Sequence, residues 1–176
     1  MSFKALILAA GKGTRMKSKY PKVIHKVCGK EMVNHVIGAS KNAGVDEVIT
    51  ILGHEAEIVK EKLEKGTLTV MQTEQLGTGH AVKMAKDYID DEDTVLVLCG
   101  DTPLIKEETI KKLFDYHKDN KYHATVLTTI IENPTGYGRI IRDENDDLLK
   151  IVEQKAASGK DKETKEINSV IYCFNR

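Results

Sequence analysis

The sequence FKALILAAGKGTR, residues 3–15, decides the fold class because it joins a short apolar strand to a glycine-rich loop. Residues 3–8 have the composition of a buried strand, and the loop begins at Ala10. A second strand, TVLVLC at residues 94–99, is apolar on both faces, as the central strands of parallel sheets are. The two segments predict an α/β fold with ligand-binding loops at the carboxyl ends of its strands.

Strand and helix periods alternate along most of the chain. The predicted strands cover residues 3–8, 45–52, 68–72, 94–99 and 123–131, and the predicted helices cover residues 32–43, 56–63, 79–89 and 110–117. Gly44 stands where a helix C-cap belongs. In the third helix, Ala81 and Ala85 face inward together with either Tyr88 or Ile89. The alternation predicts a doubly wound, Rossmann-like, mostly parallel sheet.

The pattern changes after Asn133-Pro134. Three short strands at residues 139–142, 148–153 and 167–174 are separated by polar segments, with no helical period. We therefore expect an α/β core over residues 1–131 and a small β-rich annex of the same domain over residues 132–176. Because the sequence stops directly after an apolar strand, we expect a domain truncated at its C-terminus, with Ile167, Val170 and Ile171 exposed.

Composition excludes several classes of protein. The 176 residues include 27 Lys and Arg against 27 Asp and Glu, so the zero net charge argues against a general nucleic-acid binder. No apolar run approaches the length of a membrane span. Cys28, Cys99 and Cys173 form no C-x-x-C pair, and we expect reduced thiols and a cytoplasmic location.

The glycine-rich loop has the composition of a phosphate site. In Gly11-Lys12-Gly13-Thr14-Arg15, glycines let the backbone approach phosphate oxygens, and Arg15 and Lys22 add the positive charges that a triphosphate needs. Met16 stands where a dinucleotide fingerprint has its third glycine, and a P-loop spacing is absent. A tight turn after a strand remains the alternative explanation for the two glycines alone.

Longer motifs carry a family resemblance. They are LAAGKGTRM at 8–16, PK at 21–22, QTEQLGTGHA at 72–81, GDTPL at 100–104, NPTGYGRI at 133–140, IVE at 151–153 and EIN at 166–168. In this order they resemble nucleotide-sugar pyrophosphorylases. The closest resemblance is to the N-terminal pyrophosphorylase domain of the bifunctional bacterial N-acetylglucosamine-1-phosphate uridyltransferase and glucosamine-1-phosphate acetyltransferase.

The resemblance implies a set of site residues. Arg15 and Lys22 would be catalytic, and Asp101 would bind Mg²⁺, with a second ligand, an Asn, beyond residue 176. The substrate-binding residues that it implies are Leu8, Ala9, Ala10, Gly11, Lys22, Gln72, Gly77, Thr78, Cys99, Gly100, Asp101, Gly138, Glu153 and Asn168. Among these, the backbone from Leu8 to Gly11 would hold the nucleoside, and Gln72, Gly77 and Thr78 would contact the uracil. Gly138, Glu153 and Asn168 would contact N-acetylglucosamine. Taken without the family, Gln72 is more simply a solvated strand end, Thr78 a helix cap and Asp101 a turn cap.

The implied reaction is Mg²⁺-dependent formation of UDP-N-acetylglucosamine and pyrophosphate from UTP and N-acetylglucosamine 1-phosphate. The same chemistry on another sugar 1-phosphate or nucleotide, nucleotide binding without turnover, and an inactive fragment are the alternatives. Residues 1–176 hold none of the family's hexapeptide-repeat acetyltransferase half, so we expect no acetyltransferase activity and a homotrimer only in the full-length protein. We expect no nucleic-acid or membrane partner, and weak turnover from residues 1–176 alone.

Overall fold

The computed structural model describes residues 2–11, 13 and 16–176 and shows ten strands and four α-helices in them. The strands are β1 (Phe3–Ala9), β2 (Lys26–Val27), β3 (Lys30–Glu31), β4 (Glu47–Leu52), β5 (Leu68–Met71), β6 (Thr94–Cys99), β7 (Ala124–Ile130), β8 (Arg139–Arg142), β9 (Leu148–Val152) and β10 (Glu166–Asn175). The helices are α1 (Met32–Asn42), α2 (Ala56–Lys62), α3 (Thr78–Met84) and α4 (Glu107–Asp119). None of these helices is long and apolar enough to cross a membrane.

The chain forms two compact units. The first contains the residues up to Thr125 together with Tyr172–Arg176, and the second contains Val126–Ile171. The second unit begins six residues before the expected boundary at residue 132, and the last five residues rejoin the first unit. They do so because the end of β10 pairs antiparallel with β6, from Tyr172 opposite Val97 to Asn175 opposite Thr94.

The first unit contains the predicted mostly parallel, Rossmann-like sheet. Its parallel strands lie in the order β5–β4–β1–β6, so the direction of winding reverses between β1 and β6. On one face Leu6 packs in a buried cluster with Ala81, Ala85 and Ile89, which makes Ile89 the inward residue of the two predicted alternatives. On the other face Phe3 stacks on Phe114 of α4, with ring centroids 3.9 Å apart. Helices cover both faces, which explains why β1 and β6 are apolar along most of their length.

Elements that the sequence pattern did not predict lie at residues 22–31, between β1 and α1. One 3-10 turn, Lys22–Ile24, buries Val23 and Ile24, and the two-residue strands β2 and β3 then pair as a hairpin. Strands this short and rich in lysine carry no hydrophobic period. Of the two predicted helix caps, one is confirmed and the other is not. Gly44 has φ +88° after α1, as its predicted capping role requires, whereas α3 is capped by Gly77 and not by the Thr78 side chain.

The second unit is built on an antiparallel hairpin. Strands β8 and β9 pair from Arg139 opposite Val152 to Arg142 opposite Leu148, and Ile167 of β10 lies opposite Arg139 on the other side of β8. Ile167 and Ile171 are buried, so the expectation that they are exposed is wrong. Their strand β10 pairs with β7 and β8. A short 3-10 helix at Gly159–Glu163 interrupts the otherwise β-rich unit.

Candidate functional site

The carboxyl ends of β1 and β6 meet at the point where the sheet reverses its winding. Leu8 lies opposite Cys99, and the Gly100 N–H donates to the Leu8 carbonyl at 2.9 Å. A Cβ atom on Gly100 would lie 3.1 Å from that carbonyl oxygen and 3.3 Å from Val23 Cγ1, so the close approach favours glycine. The structure therefore brings together Leu8, Cys99 and Gly100, three predicted substrate-binding residues.

Lys22 and Asp101 form an ion pair at this strand end, with Nζ 2.6 Å from Oδ2. The buried Val23 anchors Lys22, because Val23 lies against Gly100, the residue before Asp101. Gly13, at φ +56°, approaches Lys22 from the glycine-rich loop, and a Cβ there would lie 3.1 Å from Lys22 Cβ. Both charged side chains are about one-third exposed. They can therefore contact a ligand, and their mutual attraction adds little to stability.

Cys99 belongs to the same strand end, and its surroundings disfavour the reactive thiolate form. Burial, together with the negative charge of Asp101, raises the pKa of the Cys99 thiol to about 11. The Thr102 hydroxyl donates to the Cys99 carbonyl at 2.7 Å and closes the turn that presents Asp101. The contribution that Cys99 can offer a ligand is its backbone and its shape.

Gly53, at the end of β4, is a site residue that the sequence analysis missed. A Cβ atom on Gly53 would lie 2.8 Å from Ala10 Cβ and 3.0 Å from the Ala10 carbonyl oxygen. The same carbonyl accepts a hydrogen bond from the His54 N–H at 3.3 Å. Gly53 therefore sets the position of Ala10 in the predicted nucleoside-binding segment. A glycine directly after a predicted apolar strand was the available signal.

Gln72 is buried and its amide nitrogen is held by two hydrogen bonds, so it is not a solvated strand end. Its backbone N–H donates to the Leu52 carbonyl at 2.7 Å, and its side chain is only 3% exposed. Nε2 donates to the Gly77 carbonyl at 3.2 Å and to His80 Nδ1 at 3.1 Å. The structure thus joins Gln72 to Gly77, next to Thr78 at the start of α3. Sequence spacing gave no sign that His80 would orient this amide.

The second unit brings its three predicted sugar-binding residues into one cross-strand row. The register places Glu153 and Asn168 on either side of Gly138, and the Asn168 N–H donates to the Gly138 carbonyl at 2.9 Å. A Cβ atom on Gly138 would lie 3.3 Å from Glu153 Oε1 and 3.5 Å from Asn168 Cβ. Glycine keeps open the space beside this carboxylate and this amide.

Two predictions remain, the catalytic Arg15 and the metal site at Asp101. Arg15 lies outside the described residues. Among the residues that are described, no three His, Cys, Asp or Glu side chains form a cluster that could hold a metal ion. Asp101 alone still suits Mg²⁺ chemically, since Mg²⁺ is commonly held by one or two carboxylates with water and substrate phosphates as the other ligands.

Comparison with known proteins identifies the family. Residues 4–176 match the nucleotidyl transferase family. The chain belongs to this family. Among curated nucleotidyl transferase relatives, it is 74% identical over 175 residues to the bifunctional protein GlmU of Clostridioides difficile strain 630. It is 59% identical over 175 residues to the bifunctional protein GlmU of Alkaliphilus metalliredigens strain QYMF. Each match covers 99% of this chain and 38% of the relative, so the chain spans well under half the length of these relatives.

Solved structures show the same nucleotidyl transferase fold at lower identity. A Bacillus anthracis structure described as a glucose-1-phosphate thymidylyltransferase superposes with a TM-score of 0.81 at 19% identity, covering 99% of this chain and 72% of that one. HddC from Yersinia pseudotuberculosis superposes with a TM-score of 0.75 at 24% identity, covering 99% and 77%. At these identities the likeness concerns the fold alone.

Proposed function

We propose that this chain transfers a uridylyl group from UTP to N-acetylglucosamine 1-phosphate, forming UDP-N-acetylglucosamine and pyrophosphate. The observation that carries the proposal is the Lys22–Asp101 pair at the reversal point of a parallel sheet, in a member of the nucleotidyl transferase family. Ligands of open α/β sheets bind at such points. The motif resemblance and the high identity to GlmU proteins support the choice of substrates.

The chemistry needs positioning and charge neutralisation more than a protein nucleophile. An oxygen of the sugar phosphate attacks the α-phosphorus in line. The new phosphorus–oxygen bond forms as the bond to the bridging oxygen breaks, and the electron pair leaves with pyrophosphate. No general base is required, because the attacking oxygen is already anionic.

The charged residues take distinct roles in this proposal. Lys22 orients the phosphates through its ammonium group, and Arg15 stabilises the negative charge that develops on the leaving pyrophosphate. Asp101 would hold Mg²⁺, which when bound supplies charge neutralisation at the phosphates. Lys22 already contacts Oδ2 of Asp101, so the carboxylate is held in place before any ligand arrives.

Gln72 is suited to read the uracil base. Both of its amide hydrogens are directed to protein acceptors, the Gly77 carbonyl and His80 Nδ1, so Oε1 is the atom that can accept a hydrogen bond from a base. The N3–H of uracil is such a donor. Replacing the amide by an acceptor-only carboxylate places a charge beside the polyphosphate and breaks the contact to His80.

The first experiment measures pyrophosphate release by this chain with Mg²⁺ over a panel of nucleotides and sugar 1-phosphates. The proposal predicts that UTP with N-acetylglucosamine 1-phosphate is the preferred pair. Preference for another sugar or base would establish the same chemistry on different substrates. Tight UTP binding without turnover, persisting when the chain is extended to the length of its relatives, would favour a binding module and contradict the proposal.

A second experiment tests base reading by calorimetry with UMP and with inorganic tripolyphosphate. Gln72→Glu and Gln72→Met should each weaken UMP by about 1–3 kcal/mol, since a polar edge of the base loses its partner. Gln72→Met should leave tripolyphosphate binding unchanged, because it adds no charge. Unchanged UMP affinity in both variants would remove Gln72 from base recognition.

A further inference from the structure

Arg139 is a buried arginine that the proposed reaction does not use. Its side chain is 2% exposed, although it directly follows Gly138 in the chain. Nη1 donates to the Tyr137 carbonyl, and Nη2 donates to Gln154 Oε1 at 2.9 Å. Nε has no hydrogen-bond partner among the described residues. Burying a guanidinium with an unsatisfied N–H costs free energy. We therefore ask what the two hydrogen bonds of Arg139, to Tyr137 and to Gln154, do for the fold of this segment.

Gln154 connects this fork to the turn before Gly138. Its Oε1 accepts from the Gly136 N–H at 3.0 Å as well as from Arg139. Gly136 has φ +92°, a conformation that the turn requires and that glycine adopts without strain. One side-chain oxygen therefore ties together the residues on either side of the Tyr137–Gly138 segment.

The register places this clamp, Arg139 with Gln154, behind the row formed by Glu153, Gly138 and Asn168. Arg139 lies opposite Val152 and Ile167, each one residue from the row. Because side chains alternate between the faces of a sheet, Arg139 and the row point to opposite faces. The clamp therefore acts on the backbone of Gly138 and does not touch a ligand on the row.

We propose that Arg139 and Gln154 are positioning residues that hold the Gly136–Gly138 backbone in register, so that Gly138, Glu153 and Asn168 keep the spacing that a sugar requires. The identity of the sugar rests on the proposed function. The spacing is narrow, because a single carbon on Gly138 would already lie 3.3 Å from Glu153 Oε1. A displacement of about 1 Å in this segment is enough to misplace a bound group.

The test compares two variants of one residue. Gln154→Met keeps the length of the side chain and removes the acceptor, whereas Gln154→Glu keeps the acceptor. Arg142→Lys, on the same strand β8 but paired with Glu166, is the surface control. For each variant, calorimetry gives the affinities for UDP-N-acetylglucosamine and for UMP, and amide hydrogen exchange reports on Gly136 and Asn168.

Gln154→Met should weaken UDP-N-acetylglucosamine at least tenfold and change UMP less than twofold. Exchange at Gly136 and Asn168 should rise at least tenfold, while the amides of Ile140 and Ile151 in the hairpin keep their rates. Gln154→Glu and Arg142→Lys should stay within twofold of the parent chain in every measurement. Equal loss in Gln154→Glu, no loss in Gln154→Met, or faster exchange throughout the hairpin would overturn the positioning role.

The two proposals fail in different ways. A parent chain that binds UDP-N-acetylglucosamine no more tightly than UDP would refute the sugar part of the proposed function. The clamp is judged separately, because exchange at Gly136 and Asn168 requires no ligand. Unchanged exchange at both amides in Gln154→Met would overturn the clamp whatever the substrate.

Discussion

Replacing Gly53 by alanine tests whether β4 sets the shape of the predicted nucleoside-binding segment. The added Cβ would lie 2.8 Å from Ala10 Cβ, 3.0 Å from its carbonyl oxygen and 3.1 Å from its Cα. Non-bonded carbons prefer about 3.5–4.0 Å, so one of the two backbones must move by about 1 Å. Ala10 is buried and its carbonyl is held by the His54 N–H, which leaves little room for relaxation.

The expected cost follows from this overpacking. Gly53→Ala should lower the free energy of unfolding by about 1–3 kcal/mol, the usual range for forcing a carbon into a packed site. For a chain of this size each kcal/mol corresponds to about 2–4 °C in Tm. The displaced Ala10 should also weaken UMP binding by about tenfold, since the segment no longer presents its backbone in register.

Urea unfolding and calorimetry with UMP measure both effects. Gly79→Ala is the matched control for stability, because a Cβ on this helical glycine meets nothing within 4 Å. It should be neutral or stabilise the protein by up to about 1 kcal/mol. If Gly53→Ala unfolds at the same urea concentration as the parent chain and binds UMP equally well, the argument that Gly53 sets the position of Ala10 is wrong.

Four further predictions concern other parts of the chain. Asp101→Asn should reduce pyrophosphate release about 100-fold or more. It should change the free energy of unfolding by less than about 1 kcal/mol, because the ion pair of Asp101 is partly exposed. A rate assay and a urea titration measure the two effects, and near-parent turnover would remove Asp101 from the metal site. Val170→Gly should raise the free energy of unfolding by up to about 1 kcal/mol, since Val170 has φ +62°, where a β-branched side chain is strained; a lower urea midpoint would contradict it. In the folded protein at pH 8, a thiol reagent should label the exposed Cys28 and spare Cys99 and Cys173. The reason is that burial raises the pKa of these two thiols to about 11 and about 12. Rapid labelling of all three cysteines would show that the burial is incomplete. The same shifts predict that stability falls between about pH 9 and pH 12, where the unfolded chain has lost thiol protons that the folded chain retains.

The sequence predicted the structure correctly where burial on one or both faces of an element left a recognisable pattern of apolar residues. The continuous apolar run of β6 predicted a central parallel strand, and the spacing of Ala81 and Ala85 identified the inner face of α3. It could not separate Tyr88 from Ile89, because the chain leaves α3 at Met84 and continues as a 3-10 turn. Helical spacing loses its meaning where the helix type changes.

The candidate site was predictable as a set of motifs but not as an arrangement. Cross-strand register brings Gly138, Glu153 and Asn168 together, and no local pattern in three separate motifs carries that register. The contact of Gly53 with Ala10 is equally non-local. Such features depend on which strands become neighbours, and only the folded sheet specifies that.

The return of β10 to the first unit has a consequence for synthesis on the ribosome. The final partner of β6, Tyr172–Asn175, is made only after residues 100–171, which at about 5–20 residues per second takes several seconds. During that interval the edge of a strongly apolar strand has no neighbour on that side, and unpaired edges of this kind invite pairing between nascent chains. Early folding of the second unit, Val126–Ile171, would bring its two ends close together before the end of β10 is translated. The pairing segment would then emerge closer to β6, although the waiting time would be the same. Yield in cells should therefore depend on translation speed and chaperone supply through this stretch.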